Sequence, residues 1–158
     1  MTSTDAAPYV HLGIMVRELE PAITRFEQFG LTFMEPRSVH VDRLVEDGRE
    51  TSFDLRIAFS RQGPPHWELL EAVGDGIYGP QHVGGIHHVA VLDPEPEARV
   101  TELEQAGWRM TAAQYRLDGS MIVGYLDPVN LGGARIELLH ARVQDAILAW
   151  ITGEDATP

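Results

Sequence analysis

The sequence contains no cysteine and no lysine, and each absence excludes a class of chemistry. Without cysteine there is no disulfide, no thiolate metal ligand and no cysteine nucleophile. Without lysine the protein cannot form a Schiff base, and it cannot carry the phosphate-binding loop that ends in Gly-Lys-Ser/Thr. We identify neither a dinucleotide-binding fingerprint nor the Gly-x-Ser-x-Gly elbow of serine hydrolases. Nucleotide cofactors and serine-hydrolase chemistry are therefore not expected.

Positive charge and long apolar runs are also scarce. The 12 basic residues are all arginine and face 24 acidic ones, which gives a formal net charge of −12. Nucleic acid and anionic membranes would be repelled, so neither is expected as a partner. No apolar run approaches the roughly eighteen residues of a membrane span, and the N-terminus lacks the features of a signal peptide. We expect a cytoplasmic protein that acts on a small molecule.

The apolar pattern predicts one arrangement of elements twice, namely a strand, a helix and three further strands. His11 and His88 lie 77 residues apart, and so do Gly30 and Gly107, which end the two predicted helices. Neither half could cover its own sheet, so the halves should form one domain. We predict a single domain over residues 1–158, with a loose leader at 1–8, one module at 9–73, a linker at 74–85, a second module at 86–140, a C-terminal helix at 142–152 and a frayed tail from Gly153.

Each predicted module supplies one histidine and one glutamate to the same face of the sheet. Strand alternation places His11 and His88 on that face in the first strands, and Glu68 and Glu137 on it in the last strands. Both glutamates stand among apolar residues, where burying an unpaired carboxylate would cost roughly several kcal/mol of folding free energy. A divalent ion would balance their charge, and mixed nitrogen and oxygen ligands suit Zn, Mn, Fe, Co or Ni.

The same pattern is compatible with other roles for some of these polar residues. Alternation predicts that His88 enters the site and that His87 points to the helix side of the sheet. Taken singly, Glu68 and Glu137 could be solvent-facing charges on an open sheet, but their matching contexts and the paired histidines favour ligation. Ordinary surface or hydrogen-bonding roles are predicted for six other polar residues near the cup: His66, Tyr115, Tyr125, Asp127, Arg135 and His140.

Three segments carry a resemblance to a known family. They are the His11–Val16 strand with its helix, Gly85-Ile86-His87-His88-Val89-Ala90-Val91, and the stretch from Asp127-Pro128 through Gly132-Gly133 to Glu137-Leu138. With them the chain resembles the vicinal oxygen chelate superfamily, which includes glyoxalase I, methylmalonyl-CoA epimerase, bleomycin-resistance proteins and extradiol dioxygenases. The resemblance implies an α+β fold in which two tandem βαβββ modules form a cup-shaped mixed sheet around one divalent metal, with the helices on the outer face. It also implies a homodimer.

Carried over by position, the implied metal ligands are His11, Glu68, His88 and Glu137. The last two segments are most similar to the epimerase branch, which usually has glutamine where Glu68 stands, whereas the full ligand set resembles glyoxalase I. We therefore predict a metal-dependent isomerase or epimerase of a small carbonyl or hydroxy-carbonyl compound, with a metal-stabilised enolate and with Glu137 or Glu68 moving the α-proton.

Three alternatives stay open at this point. A glyoxalase-type lyase would use the same ligands. A metal-free binding or resistance protein would use the cup alone, although the intact ligand set argues against it. An extradiol dioxygenase needs two histidines and one carboxylate, so the second glutamate counts against that reading.

Overall fold

The structure, a computed structural model, describes residues 9–128 and 133–153. The predicted leader at 1–8, Gly132 of the second-module motif and the tail beyond Gly153 lie outside the described residues. The elements are β1 (Tyr9–Val16), α1 (Leu19–Glu27), β2 (Arg37–Glu46), β3 (Arg49–Phe59), β4 (His66–Glu71), β5 (Ile86–Asp93), α2 (Pro96–Gln105), β6 (Met110–Tyr115), β7 (Met121–Leu126), β8 (Arg135–His140) and α3 (Gln144–Thr152). Short 3-10 turns cover Pro80–His82 and Ala141–Val143.

The predicted fold class is confirmed, because each half of the chain runs strand, helix, strand, strand, strand. Within the first module β1 pairs in parallel with β4, and β4, β3 and β2 continue as antiparallel neighbours. The second module repeats this arrangement with β5, β8, β7 and β6. The modules join through the antiparallel pairs β1–β5 and β2–β6, so the mixed sheet curls into a closed barrel-like cup.

Strand register places the histidine and glutamate positions beside one another. Between the modules, His11 lies opposite Ala90 and Gly13 lies opposite His88. Within the modules, Gly13 lies opposite Glu68, and Ala90 lies opposite Glu137. Residues that face each other across neighbouring strands project to the same side of the sheet. Both histidines and both glutamates therefore point into the cup.

Helices α1 and α2 pack on the outside of the barrel, as predicted. Leu19 of α1 is fully buried in a cluster with Ala58 and Leu69 on the outer side of the sheet. Val100 of α2 packs with Leu138 in a second outer cluster. These apolar stripes explain why the two helices lie flat on the sheet.

Helix α3, for which the sequence predicted a helix at 142–152 but no side of the sheet, lies at the inside of the cup. Its Trp150 and Ile151 belong to the largest buried cluster, together with Phe59 and Tyr125 inside the barrel. The Trp150 ring meets the Phe59 ring edge-on, with 5.2 Å between their centroids. The C-terminal helix thus caps the interior of the cup instead of covering its outer surface.

The predicted orientation of His87 is wrong. Gly13 pairs with His88, but the next residue, Ile14, pairs with Ile86, so β5 has one extra residue at this point. This β-bulge interrupts the alternation that the prediction assumed. His87 is only 2% exposed and its ring stacks on that of Tyr78, away from the outer helices.

Contrary to the expectation from the sequence, Gly74, Gly76 and Gly79 do have the spacing of a dinucleotide-binding fingerprint. In the fold these glycines lie between β4 and β5 and lead into the turn Pro80–His82. That fingerprint needs a strand that leads directly into an α-helix, so the spacing alone carries no cofactor assignment.

Across the described ranges, none of the helices combines the length and the apolar character that a bilayer crossing requires.

Candidate metal centre

Four buried side chains converge inside the cup. Nε2 of His11 lies 3.1 Å from Nε2 of His88 and 2.9 Å from Oε2 of Glu137. Oε2 of Glu68 lies 3.3 Å from the His11 nitrogen and 3.2 Å from the His88 nitrogen. The His88 nitrogen and the Glu137 oxygen are 3.5 Å apart. The structure thus brings together all four residues that the sequence singled out; we call them the tetrad.

The tetrad is electrostatically unusual because, within the described ranges, its two buried carboxylates form ion pairs with histidines and not with arginine. Burial alone would lower the pKa of His11, but the carboxylates of Glu68 and Glu137 raise that pKa above its ordinary value. Burial alone would raise the pKa of Glu137, but His88 and His11 hold it below its ordinary value. The site therefore favours positive charge between its oxygens.

Close approach at the tetrad depends on two small residues. A Cβ atom placed on Gly13 would lie 2.1, 2.3 and 2.5 Å from three atoms of the His88 ring. Ala90 occupies the matching position in the second module, and it is fully buried. The His88 ring therefore occupies the space that any other residue at position 13 would fill.

We expect Gly13→Ala to displace the His88 ring and to weaken the centre. An added methyl in a packed interior typically costs about 1–3 kcal/mol of stability, and here the displaced atoms belong to the tetrad. The expected result is a lower melting temperature together with a reduced affinity for divalent metal, measured by calorimetry and metal titration. Gly85→Ala is the matched control, because a Cβ there meets nothing within 4 Å. Unchanged metal affinity in Gly13→Ala would contradict this role of Gly13.

A chain of hydroxyl groups ends on Glu137. The Tyr125 hydroxyl donates to Oε1 of Glu137 over 2.7 Å, and the hydroxyls of Tyr125 and Tyr78 lie 2.5 Å apart. The side-chain amide of Gln114 donates to the Tyr78 oxygen. Because the Tyr125 proton is committed to the carboxylate, the Tyr78 hydroxyl must donate to Tyr125. Burial raises the pKa of both tyrosines, so they stay protonated as donors.

Glu68 has no such donor at the corresponding place in the first module. Phe59 lies opposite Glu68 on β3, just as Tyr125 lies opposite Glu137 on β7. The Phe59 ring packs edge-on against His11, with 5.3 Å between centroids. The two modules therefore hold their glutamates differently: one carboxylate is anchored by a hydroxyl, and the other faces an aromatic ring.

His87 links His88 to the backbone. Its Nδ1 lies 2.9 Å from Nδ1 of His88, and its Nε2 lies 2.8 Å from the carbonyl oxygen of Ile77. Burial, helped by His88 and Arg135, lowers the pKa of His87 to about 3. The ring is therefore neutral at physiological pH.

The other polar residues named from the sequence have other contacts. Nδ1 of His66 lies 3.0 Å from the Ser60 carbonyl, Tyr115 lies under the Arg43 guanidinium, Asp127 pairs with Arg109, and His140 accepts from the backbone of Arg142. Arg135 is half-buried at the start of β8. Tyr125 alone of these bonds to the tetrad. Sequence reasoning missed Tyr78, Phe59 and Trp150 as neighbours of the site, because nothing local in the sequence connects these distant residues.

The sequence model described as the glyoxalase/bleomycin resistance protein/dioxygenase superfamily matches residues 10–125. A hypothetical protein from Bacillus halodurans has a similar structure, with a TM-score of 0.62 and 20% identity over 86% of this chain and 95% of its own. The Mycobacterium tuberculosis methylmalonyl-CoA epimerase has a TM-score of 0.62 and 20% identity over 93% and 97% of the two chains.

A variant of the Streptomyces coelicolor methylmalonyl-CoA epimerase, solved with 2-nitronate-propionyl-CoA, is also similar. It gives a TM-score of 0.59 and 19% identity over 85% of this chain and 94% of its own. At such identities the likeness is one of fold. No curated protein matches the sequence.

Proposed function

Because the chain belongs to the glyoxalase/bleomycin resistance protein/dioxygenase superfamily, we propose that it is a divalent-metal-dependent enzyme that isomerises or epimerises a small carbonyl or hydroxy-carbonyl compound. The ligands proposed for the metal are His11, Glu68, His88 and Glu137. The observation that carries the proposal is the convergence of these four side chains, two from each module, on one buried point.

The spacing of the tetrad fits a single ion. An ion bonded to nitrogen and oxygen at about 2.0–2.2 Å holds neighbouring donor atoms about 3.0–3.6 Å apart, depending on its geometry. Five of the six separations in the tetrad lie between 2.9 and 3.5 Å. His11, His88 and Glu137 form the compact ligand group, and Glu68 lies within 3.3 Å of both histidine nitrogens. Oε2 of Glu137 is buried and, among the described residues, it meets the two histidine nitrogens of the tetrad without a well-aligned hydrogen bond, which supports a cation shared by these groups.

The remaining chemistry would be carried by the chain's own glutamates. A bound divalent ion would supply Lewis-acid chemistry, polarising a substrate carbonyl and stabilising the negative charge that develops as the α-proton leaves. Epimerisation needs a base on each face of the carbon, and Glu68 and Glu137 come from opposite modules. One glutamate takes the α-proton, and the other returns a proton to the opposite face.

Surrounding residues hold these groups and exclude water. Against the effect of burial, His88 and His11, with a smaller contribution from the Tyr125 hydroxyl, hold the pKa of Glu137 below its ordinary value, and the Tyr125 hydrogen bond fixes the direction of the carboxylate. Aromatic rings line the site on two sides. Phe59 packs against His11 and is itself backed by Trp150, and Tyr125 packs against His88 and is itself backed by Tyr78. A dry, preorganised site strengthens the interactions that stabilise developing charge.

Metal content and isotope exchange test the proposal. We expect purified protein to hold about one equivalent of divalent metal, and His11→Ala to hold much less, because this change removes one of the four proposed ligands and leaves the two carboxylates with a single histidine. His40→Ala, which removes an exposed histidine, is the control and should keep the metal.

The loaded protein should then exchange an α-proton of a carbonyl substrate with solvent deuterium, followed by NMR. Methylmalonyl-CoA, which a similar solved structure binds, is the first probe, followed by a panel of α-hydroxy ketones. A protein without stoichiometric metal, or a loaded protein that exchanges none of these compounds, would reject the proposal in favour of a binding protein.

A further inference from the structure

The hydrogen bonds behind His88 fix the positions of its protons. The Ile77 carbonyl oxygen can only accept, so Nε2 of His87 must carry the proton that bridges their 2.8 Å separation. The ring of His87 is buried from solvent, and with its one proton on Nε2 it has a bare Nδ1, which accepts a hydrogen bond. Nδ1 of His88, 2.9 Å away, must therefore be the donor. A neutral His88 with its proton on Nδ1 has a lone pair on Nε2, the atom that faces the tetrad.

We propose that His87 is a positioning residue that sets the tautomer and the ring orientation of His88, so that Nε2 of His88 is ready to bind the metal. This inference rests on the proposed metal centre, since its purpose is to present a ligand. Hydrogen bonds from the outer nitrogen of a ligating histidine generally fix its tautomer and raise its basicity.

The β-bulge makes this arrangement possible. In a regular strand His87 would point away from the cup, but the extra residue in β5 turns its ring to the same side as that of His88. There it packs between Tyr78 and Tyr125, with ring centroids at 5.7 and 6.0 Å. Close packing on both sides keeps the ring in the orientation that the two hydrogen bonds require.

The first module has no equivalent of His87. Val10 stands before His11, and Nδ1 of His11 is buried without a hydrogen bond from the described residues. The two proposed metal ligands are thus unequal: His88 is oriented in advance through His87 and Ile77, whereas no such chain of described residues orients His11. A residue that only filled space would not orient the His88 ring, so this difference indicates that His87 does more than pack.

The test is the tautomer of His88 in metal-free protein, read from the ring nitrogen shifts of protein labelled with ¹⁵N-histidine above pH 8. We expect Nδ1–H for His88 and Nε2–H for His87 in the wild type. His87→Leu should abolish the preference at His88, and His87→Asn should restore it, because the asparagine oxygen can accept the same hydrogen bond. The Zn²⁺ dissociation constant, measured by chelator competition, should rise about 10- to 100-fold in His87→Leu.

His82→Leu is the matched control. Its ring contacts His87 at 5.9 Å between centroids, and no hydrogen bond to His88 joins it among the described residues. It should leave both the tautomer and the Zn²⁺ affinity unchanged. A wild-type His88 protonated on Nε2, or a His87→Asn variant no better than His87→Leu, would overturn the inference. Since the tautomer is read without metal, its failure is distinguishable from a failure of the proposed metal centre.

Discussion

Glu137→Gln is expected to lose both the bound metal and the exchange of the substrate α-proton. Glutamine has nearly the same shape as glutamate. The effect of the substitution therefore reports the loss of the negative charge and the change in hydrogen bonding, and not a change in packing. The Tyr125 hydroxyl, now 2.7 Å from Oε1, would donate to the amide oxygen. That contact turns the amide NH₂ toward His11 and the metal position, where a donor cannot ligate a cation. Metal content would be measured on purified protein and deuterium exchange by NMR.

The paired variant Tyr125→Phe/Glu137→Gln tests this explanation. Without the hydroxyl, the amide oxygen is free to rotate toward the ligand position, so part of the metal affinity should return. Proton transfer should not return, because an amide is no base at neutral pH. If Glu137→Gln keeps full metal occupancy and exchange, the assignment of Glu137 as ligand and base is wrong.

Glu68→Gln is expected to have a different effect: the metal stays, but inversion of configuration is lost. Phe59 stands where the first module would need a hydroxyl, so the amide oxygen of the new glutamine is free to face the metal. Affinity for Zn²⁺ should therefore fall less than in Glu137→Gln. One of the two proposed bases is removed, and loss of a general base typically slows proton transfer about 10²–10⁴-fold.

The prediction is tested by giving the Glu68→Gln variant each enantiomer of the substrate separately. With Glu137 still present, one enantiomer should exchange its α-proton with solvent deuterium while the stereocentre is retained. The other enantiomer should react slowly or not at all. Epimerisation at the wild-type rate in Glu68→Gln would show that Glu68 is a ligand only and that the second base lies elsewhere.

The candidate site could be located from the sequence because its signal is periodic and duplicated. Alternation within a strand reports which face a residue occupies, and that information is local. Two matching segments, Trp67-Glu68-Leu69-Leu70 and Ile136-Glu137-Leu138-Leu139, place one glutamate in each repeat, and His11 and His88 lie one repeat apart. This duplication predicts the tetrad from the sequence alone. The role of these four residues in binding metal stays a prediction, as do the homodimer and the cytoplasmic location.

His87 shows where local pattern fails. A β-bulge shifts the alternation by one residue, yet it leaves no mark in the residue types of Ile86-His87-His88. It arises from the way β5 must fit against β1 in the closed barrel, which is a non-local constraint. The inward position of α3 has a similar origin, since its apolar residues are compatible with either surface until the open end of the barrel is in place.

The sequence by itself determined the two βαβββ modules, the fold class and the four residues that face the cup, because strand and helix periods are set by backbone geometry. Only the tertiary structure decided the separations within the tetrad, the unequal anchoring of Glu68 and Glu137, and the inward turn of His87. Those features depend on register across strands and on rings contributed from distant segments. Such contacts are fixed when the barrel closes and the interior packs, and no local run of residues encodes them.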